Sequence, residues 1–239
     1  MFFFGYAGRM QSRLFSHPAA SLLREVHSRL PDASAGFTKN PARLSPPDQL
    51  VRAMLGARTQ DAVSLQAFWR LKRRYADWSQ LAAADYREVL ERIAGVTFAE
   101  DKAANLQAAM ARLDLSRGDK ALDFLAEWPV DSALAWLEFL PGVGRKTSAA
   151  VLNFSTLQRP AMVIDSHHQR VAKRLGLARW RASVEDTYNV LMASAPGDWT
   201  AADFEQHHHN IKAHGQKLCH HLAPDCRGCP LADICPSAA

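Results

Sequence analysis

With 239 residues, 48% of them hydrophobic, the chain has enough length and apolar content for one large domain or two small ones around a buried core. Lysine and arginine outnumber the acids to give a net charge of +5, which suits a polyanionic partner such as nucleic acid, although a solvated basic face produces the same balance. No run of 18 apolar residues occurs, so a membrane-spanning helix is excluded and the chain reads as soluble.

The opening stretch, Met1 to Arg9, is apolar but short, has no basic segment before it, and reads as a tail. Alanine, leucine, arginine and glutamate then dominate and β-branched runs are scarce, which predicts an all-α fold. A first helix is expected over 18–31, and residues 32–48, with prolines, serines and a glycine, read as a linker. Pro46-Pro47 open the next helix, whose Leu50, Val51, Met54 and Leu55 share one face. Helices are expected in turn over 62–75, 78–82, 86–94, 100–113, 118–126 and 131–139, the short elements of a bundle rather than a coiled coil.

Leu140-Pro141-Gly142-Val143-Gly144-Arg145-Lys146-Thr147 joins two helical patterns, Asp131–Phe139 and Arg145–Phe154, as a tight hairpin. Gly142 and Gly144 allow positive φ and close approach, and the amides that open the second helix favour an anion such as a DNA phosphate. As a whole the octet resembles the helix-hairpin-helix signature of the endonuclease III family, whose hairpin grips the DNA backbone; Gly142, Val143, Gly144 and Arg145 are the contacts this implies.

Lys146 falls in the first turn of that second helix, where the positive end of the dipole and Arg145 both disfavour an ammonium. A neutral amine there can form a Schiff base, and a surface lysine bound to phosphate is the plainer alternative. Resemblance to the family makes it the nucleophile that displaces a damaged base and then permits β-elimination. Asp165, in Val163-Ile164-Asp165-Ser166-His167-His168-Gln169-Arg170-Val171, is a natural helix N-cap. The stretch is similar to the family's Val-Asp-Thr-His-x-x-Arg-Val, whose aspartate is the second catalytic residue, stabilising an oxocarbenium-like sugar and assisting proton transfers.

All four cysteines lie in the last 21 residues, spaced Cys219-x6-Cys226-x2-Cys229-x5-Cys235. Such clustering in an otherwise cysteine-free chain points to thiolate ligands in a reducing compartment, and the chemistry admits zinc or an iron–sulfur cube. The 6-2-5 spacing, preceded by His214-Gly215, matches the 4Fe–4S loop of endonuclease III enzymes, in which Lys217 and Arg227 would meet DNA. Three adjacent histidines, His207 to His209, point in different directions from a helix and cannot all hold one ion.

Two stretches depart from the family pattern. Gly56-Ala57-Arg58-Thr59-Gln60-Asp61 puts Arg58 where a gap-filling glutamine is often found, with Gln60 close by, and arginine donates but cannot accept. Ile93 to Ala103 is two residues longer between glycine and lysine than the family's second probing loop, leaving Val96 or Phe98 as the wedge. The resemblance implies a two-lobed helix-hairpin-helix glycosylase fold with a C-terminal 4Fe–4S cluster loop. Its parts are an N-terminal tail and helix (1–38) packed with the cluster lobe, a helical lobe (39–159) ending in the hairpin, and the cluster lobe (160–239), with the catalytic groups at the junction. It implies a monomer acting on double-stranded DNA with damaged bases or abasic sites, in a bacterial cytoplasm or a eukaryotic nucleus. A bifunctional glycosylase and abasic-site lyase for oxidised pyrimidines is the leading function. A monofunctional glycosylase and a DNA-binding member with weakened catalysis are the rivals.

Overall fold

The computed structural model describes residues 19–33 and 43–238, with no strand among them. The N-terminal tail and residues 34–42 of the expected linker lie outside the described residues. In chain order the helices are α1 (Ala19–Arg29), α2 (Pro46–Gly56), α3 (Asp61–Arg74), α4 (Trp78–Ala82), α5 (Tyr86–Arg92), α6 (Ala99–Ala111), α7 (Val130–Glu138), α8 (Arg145–Phe154), α9 (Ser166–Arg174), α10 (Val184–Ala193) and α11 (Ala201–Lys217). The chain divides into two compact units, Ala42–Ala161 and Met1–Pro41 with Met162–Ala239. No helix among the described residues is long and apolar enough to cross a membrane.

In the unit 42–161, Ser45 caps α2 by accepting from the Asp48 amide at 3.4 Å, and Pro46 and Pro47 occupy positions where no donor is needed. Asp48 is buried in this first turn and accepts from Lys72 Nζ and Trp78 Nε1, both at 2.7 Å, which ties α2 to α3 and α4. α2 also packs against α8, whose residues from Thr147 to Asn153 are all buried, so α8 runs through the interior of this unit. The helix expected over 118–126 is instead two 3-10 turns, Leu115–Lys120 and Asp123–Ala126. Gly118, at φ 54° and ψ −129°, leaves helical space in the first of them.

In the other unit Val26 of α1 and Leu30 just after it pack against Val171 of α9, its C-cap Leu175, Ile211 of α11 and Leu231. This apolar cluster continues into Cys219, Cys229 and Cys235, so the cysteine loop is part of the core of its unit. α10 and α11 each begin with a reciprocal capping box, Ser183 with Asp186 and Thr200 with Asp203.

Candidate functional site

The glycine hairpin closes between α7 and α8. Gly142 takes φ 74°, and a Cβ there would lie 2.8 Å from Asn105 Cβ and 2.9 Å from its Cγ. A left-handed conformation and a missing side chain are therefore both required at this position. Gly142→Ala is expected to cost about 2–5 kcal/mol, summing the left-handed penalty and the overpacking against Asn105. Urea unfolding would register it as a lower midpoint, and an unchanged midpoint would show that the turn tolerates a side chain.

Among the described residues no acceptor takes the amides of Gly142 or Gly144, and both glycines are exposed. Val143 is the expected contact that turns inward: its amide donates to the Leu140 carbonyl at 3.1 Å and its side chain is buried. Arg145 donates to Glu138 at 2.6 Å, and Ser148 Oγ donates to the same carboxylate at 2.8 Å. The charge of Arg145 is thus paired with a carboxylate of α7. The Lys146 amine instead comes to the end of α2, 4.0 Å from where a Cβ on Gly56 would stand.

The two stretches that depart from the family pattern meet on this same unit. Arg58 and Phe98 are both non-glycine residues in the left-handed region, at φ 55° and 58°. Their side chains stack, the Arg58 guanidinium 5.9 Å from the Phe98 ring centroid. Phe98 is 55% exposed while Val96 is 5% exposed, so of the two expected wedges the structure leaves only Phe98 at the surface; Val96 belongs to the core. Gln60 is exposed at the start of α3 and makes no side-chain cap there. The Thr97 amide donates to Thr59 Oγ1 at 3.2 Å, joining the two loops.

Beneath them is a residue that the sequence did not single out. Lys102 is buried, and its Nζ donates to the carbonyls of Leu55 at 2.9 Å and Ala57 at 2.5 Å and to Thr59 Oγ1 at 3.0 Å. Burial first, and the positive charge of Lys146 second, push its ammonium down to about 8.

On the other unit Asp165 caps α9, its carboxylate accepting from the His168 amide at 2.8 Å. Burial opposes its charge, but attraction to His208 and the amide hydrogen bond outweigh it and hold the carboxyl below its ordinary value. The rings of His168 and His208 both donate from Nδ1 to the Val163 carbonyl, at 3.2 and 2.8 Å, two residues ahead of Asp165. Burial pushes His168 down to about 4 and His208 to about 3. His207 lies at the centre of a ring cluster with Trp199, His27 and His168.

Cys219, Cys226, Cys229 and Cys235 line one cavity with Leu175, Leu218 and Leu231. Two arginines of α9 clasp this loop. Arg170 donates to the carbonyls of Cys219 at 2.9 Å and Gly215 at 2.7 Å. Arg174 donates to Cys219 Sγ at 3.1 Å and to the carbonyls of His220 and His221. The Leu231 amide donates to Cys229 Sγ at 3.4 Å. Among the described residues no three Cys, His, Asp or Glu side chains converge closely enough to hold a single ion. Four thiols that line one cavity, two of them receiving N–H donors, are a ligand set that fits a thiolate-bound multi-iron cube. Lys217 and Arg227 are exposed on this unit, at the end of α11 and between the second and third cysteines.

The family description "HhH-GPD superfamily base excision DNA repair protein" matches residues 51–196. The chain is 30% identical to endonuclease III of Bacillus subtilis over 192 residues, covering 80% of this chain and 81% of that one. It is also 30% identical to endonuclease III of Synechocystis over 194 residues, covering 81% and 82%. Among solved structures it is similar to a trapped endonuclease III–DNA covalent intermediate, with a TM-score of 0.70, 28% identity, and coverage of 91% of this chain and 95% of that one.

Proposed function

Since the chain belongs to the endonuclease III family of HhH-GPD base excision DNA repair proteins, we propose that it is a bifunctional enzyme that removes oxidised pyrimidines from duplex DNA and cleaves abasic sites. Its place among the DNA glycosylases rests on the family; the lyase half rests on Lys146. The observation that carries it is the position of that amine: in the first turn of the helix behind the glycine hairpin, beside the side-chain-free Gly56.

In the proposed reaction a phosphate of the DNA backbone sits on the amides of Gly142 and Gly144, fixing the strand without reading its sequence. The nitrogen of Lys146 bonds to C1′ of the damaged nucleotide as the bond from C1′ to the base breaks, and the base leaves with a proton. Sugar-ring opening gives an imine, which makes a hydrogen on C2′ acidic; its removal expels the 3′ phosphate and cuts the strand. Asp165, ionised and capping α9, stabilises the positive charge that develops on the sugar and assists the proton transfers. Arg58 and Phe98 would enter the space left by an extruded nucleotide. Cys219, Cys226, Cys229 and Cys235 would hold a 4Fe–4S cluster, which when bound supplies a cross-link that shapes the loop carrying Arg227, next to Lys217.

The test is to incubate the cluster-loaded protein with duplex DNA bearing one abasic site or one oxidised pyrimidine, with and without sodium borohydride. A covalent adduct trapped by borohydride, and a nicked strand without it, is the expected result. Base loss that leaves the strand intact would make the enzyme monofunctional, and binding without base loss or nicking would make it a binding module.

A further inference from the structure

Lys102 spends all three of its ammonium hydrogens inside the protein, on the carbonyls of Leu55 and Ala57 and on Thr59 Oγ1. Those carbonyls flank Gly56, and it is beside Gly56 that the Lys146 amine comes to rest. Two amines from distant parts of the chain are thus gathered at the last turn of α2. The carbonyls there are the negative end of the helix and satisfy one buried cation, but no carboxylate pairs with Lys102 among the described residues.

Asp48 is bound to Lys72, Arg52 has Asp61 near it, and Glu138 holds Arg145. Glu100, Asp101 and Asp131 are exposed.

We propose that Lys102 is a positioning residue for the reaction: anchored to the turn that ends α2, it stands as a fixed positive charge beside Lys146 and keeps that amine uncharged for attack on the sugar. The inference rests on the reading of Lys146 as nucleophile. Repulsion between two cations is mutual, so the push that Lys146 exerts on Lys102 is returned. Burial weakens Lys102 as a cation, but with its ammonium held down only to about 8 it still carries its proton at neutral pH.

The experiment is the rate of borohydride trapping on abasic-site duplex, under single-turnover conditions from pH 5.5 to 9.5, for the wild type and Lys102→Gln, Lys102→Met and Lys102→Arg. In the two neutral variants the acid limb should move up by about one pH unit, so that trapping at pH 7 falls about tenfold and recovers toward pH 9. Lys102→Arg, which restores the charge, should restore the limb. A loss by the same factor at every pH, or a limb that does not move, would mean that Lys102 only props up the loop. Should both neutral variants fail to fold, the wild-type limb decides, since a rate still climbing about tenfold per unit at pH 9.5, as the ordinary lysine value of about 10.4 requires, overturns the inference. No adduct from the wild type at any pH overturns the nucleophile reading and this inference together; an adduct whose acid limb ignores Lys102 overturns this inference alone.

Discussion

Lys146→Ala is expected to abolish the borohydride-trapped adduct and to lower strand cleavage at abasic sites by at least about a thousandfold, the scale on which a covalent nucleophile is lost. Binding to the same DNA should change only a few-fold, because the amides of Gly142 and Gly144 and the exposed Arg58 and Phe98 do not depend on that side chain. A shortened side chain at the start of α8 leaves the Arg145–Glu138–Ser148 network intact, so the fold should persist. Asp165→Asn separates the second residue's two roles. Asparagine caps a helix about as well as aspartate, so α9 should keep its start, while the charge that would steady the sugar is gone. Cleavage should fall with little change in the unfolding midpoint. The outcome that would sink the assignment is nicking by Lys146→Ala at the wild-type rate.

Much of the site was legible because its signals are local. The hairpin octet, the start of α8 at Arg145, the cap at Asp165 and the four cysteines between 219 and 235 each declare themselves within a short stretch of chain. Pro46-Pro47 fixed the start of α2 for the same reason, since proline suits the first turn of a helix. Position 118 was misread because alanine and leucine after it favour a helix, while one glycine at φ 54° redirects the chain. The capping boxes at Ser183 and Thr200 are equally local, written in the chain as Ser-x-x-Asp and Thr-x-x-Asp.

Other features are tertiary and leave no mark in spacing. Lys102 sits 44 positions before Lys146 in the sequence, and only folding brings both to Gly56. Arg170 and Arg174 are one helical turn apart, but nothing local says that both reach the cysteine loop some 45 residues away. Whether Val96 or Phe98 faced outward depended on how the longer loop turned, and the left-handed backbone at Phe98 settled it.

The buried histidines of α9 and α11 carry the other large expected effect, a loss of stability in mild acid. His168, His207 and His208 are all fully enclosed, and burial is the first cause of the downward shift of each, with His168 at about 4 and His208 at about 3. In the unfolded chain each takes up a proton near pH 6.5, whereas in the folded protein none does until the pH is far lower. The unfolded state therefore binds more protons, and stability falls as pH drops below about 6.5 and goes on falling to about 4, by up to about 1.4 kcal/mol per pH unit for each such histidine. Asp165, held below its ordinary value, adds a loss of the same sign at still lower pH. His27 and His209 repel a charge in this cluster as well, while Asp165 attracts one to His168 and His208. Denaturant unfolding between pH 7 and 4.5 should show this as an uptake of two or more protons and a loss of several kcal/mol. His207→Phe isolates one member of the group. Neither ring nitrogen of His207 has a partner among the described residues, and its neighbours Trp199 and His27 are rings that a phenyl group can pack against. Removing an unsatisfied buried polar ring should raise the midpoint at pH 5 by more than at pH 7 and reduce the proton uptake by about one. A stability that stays level across this range, or a His207→Phe protein weaker at both pH values, would place the charged forms of these histidines comfortably inside the fold and overturn the argument.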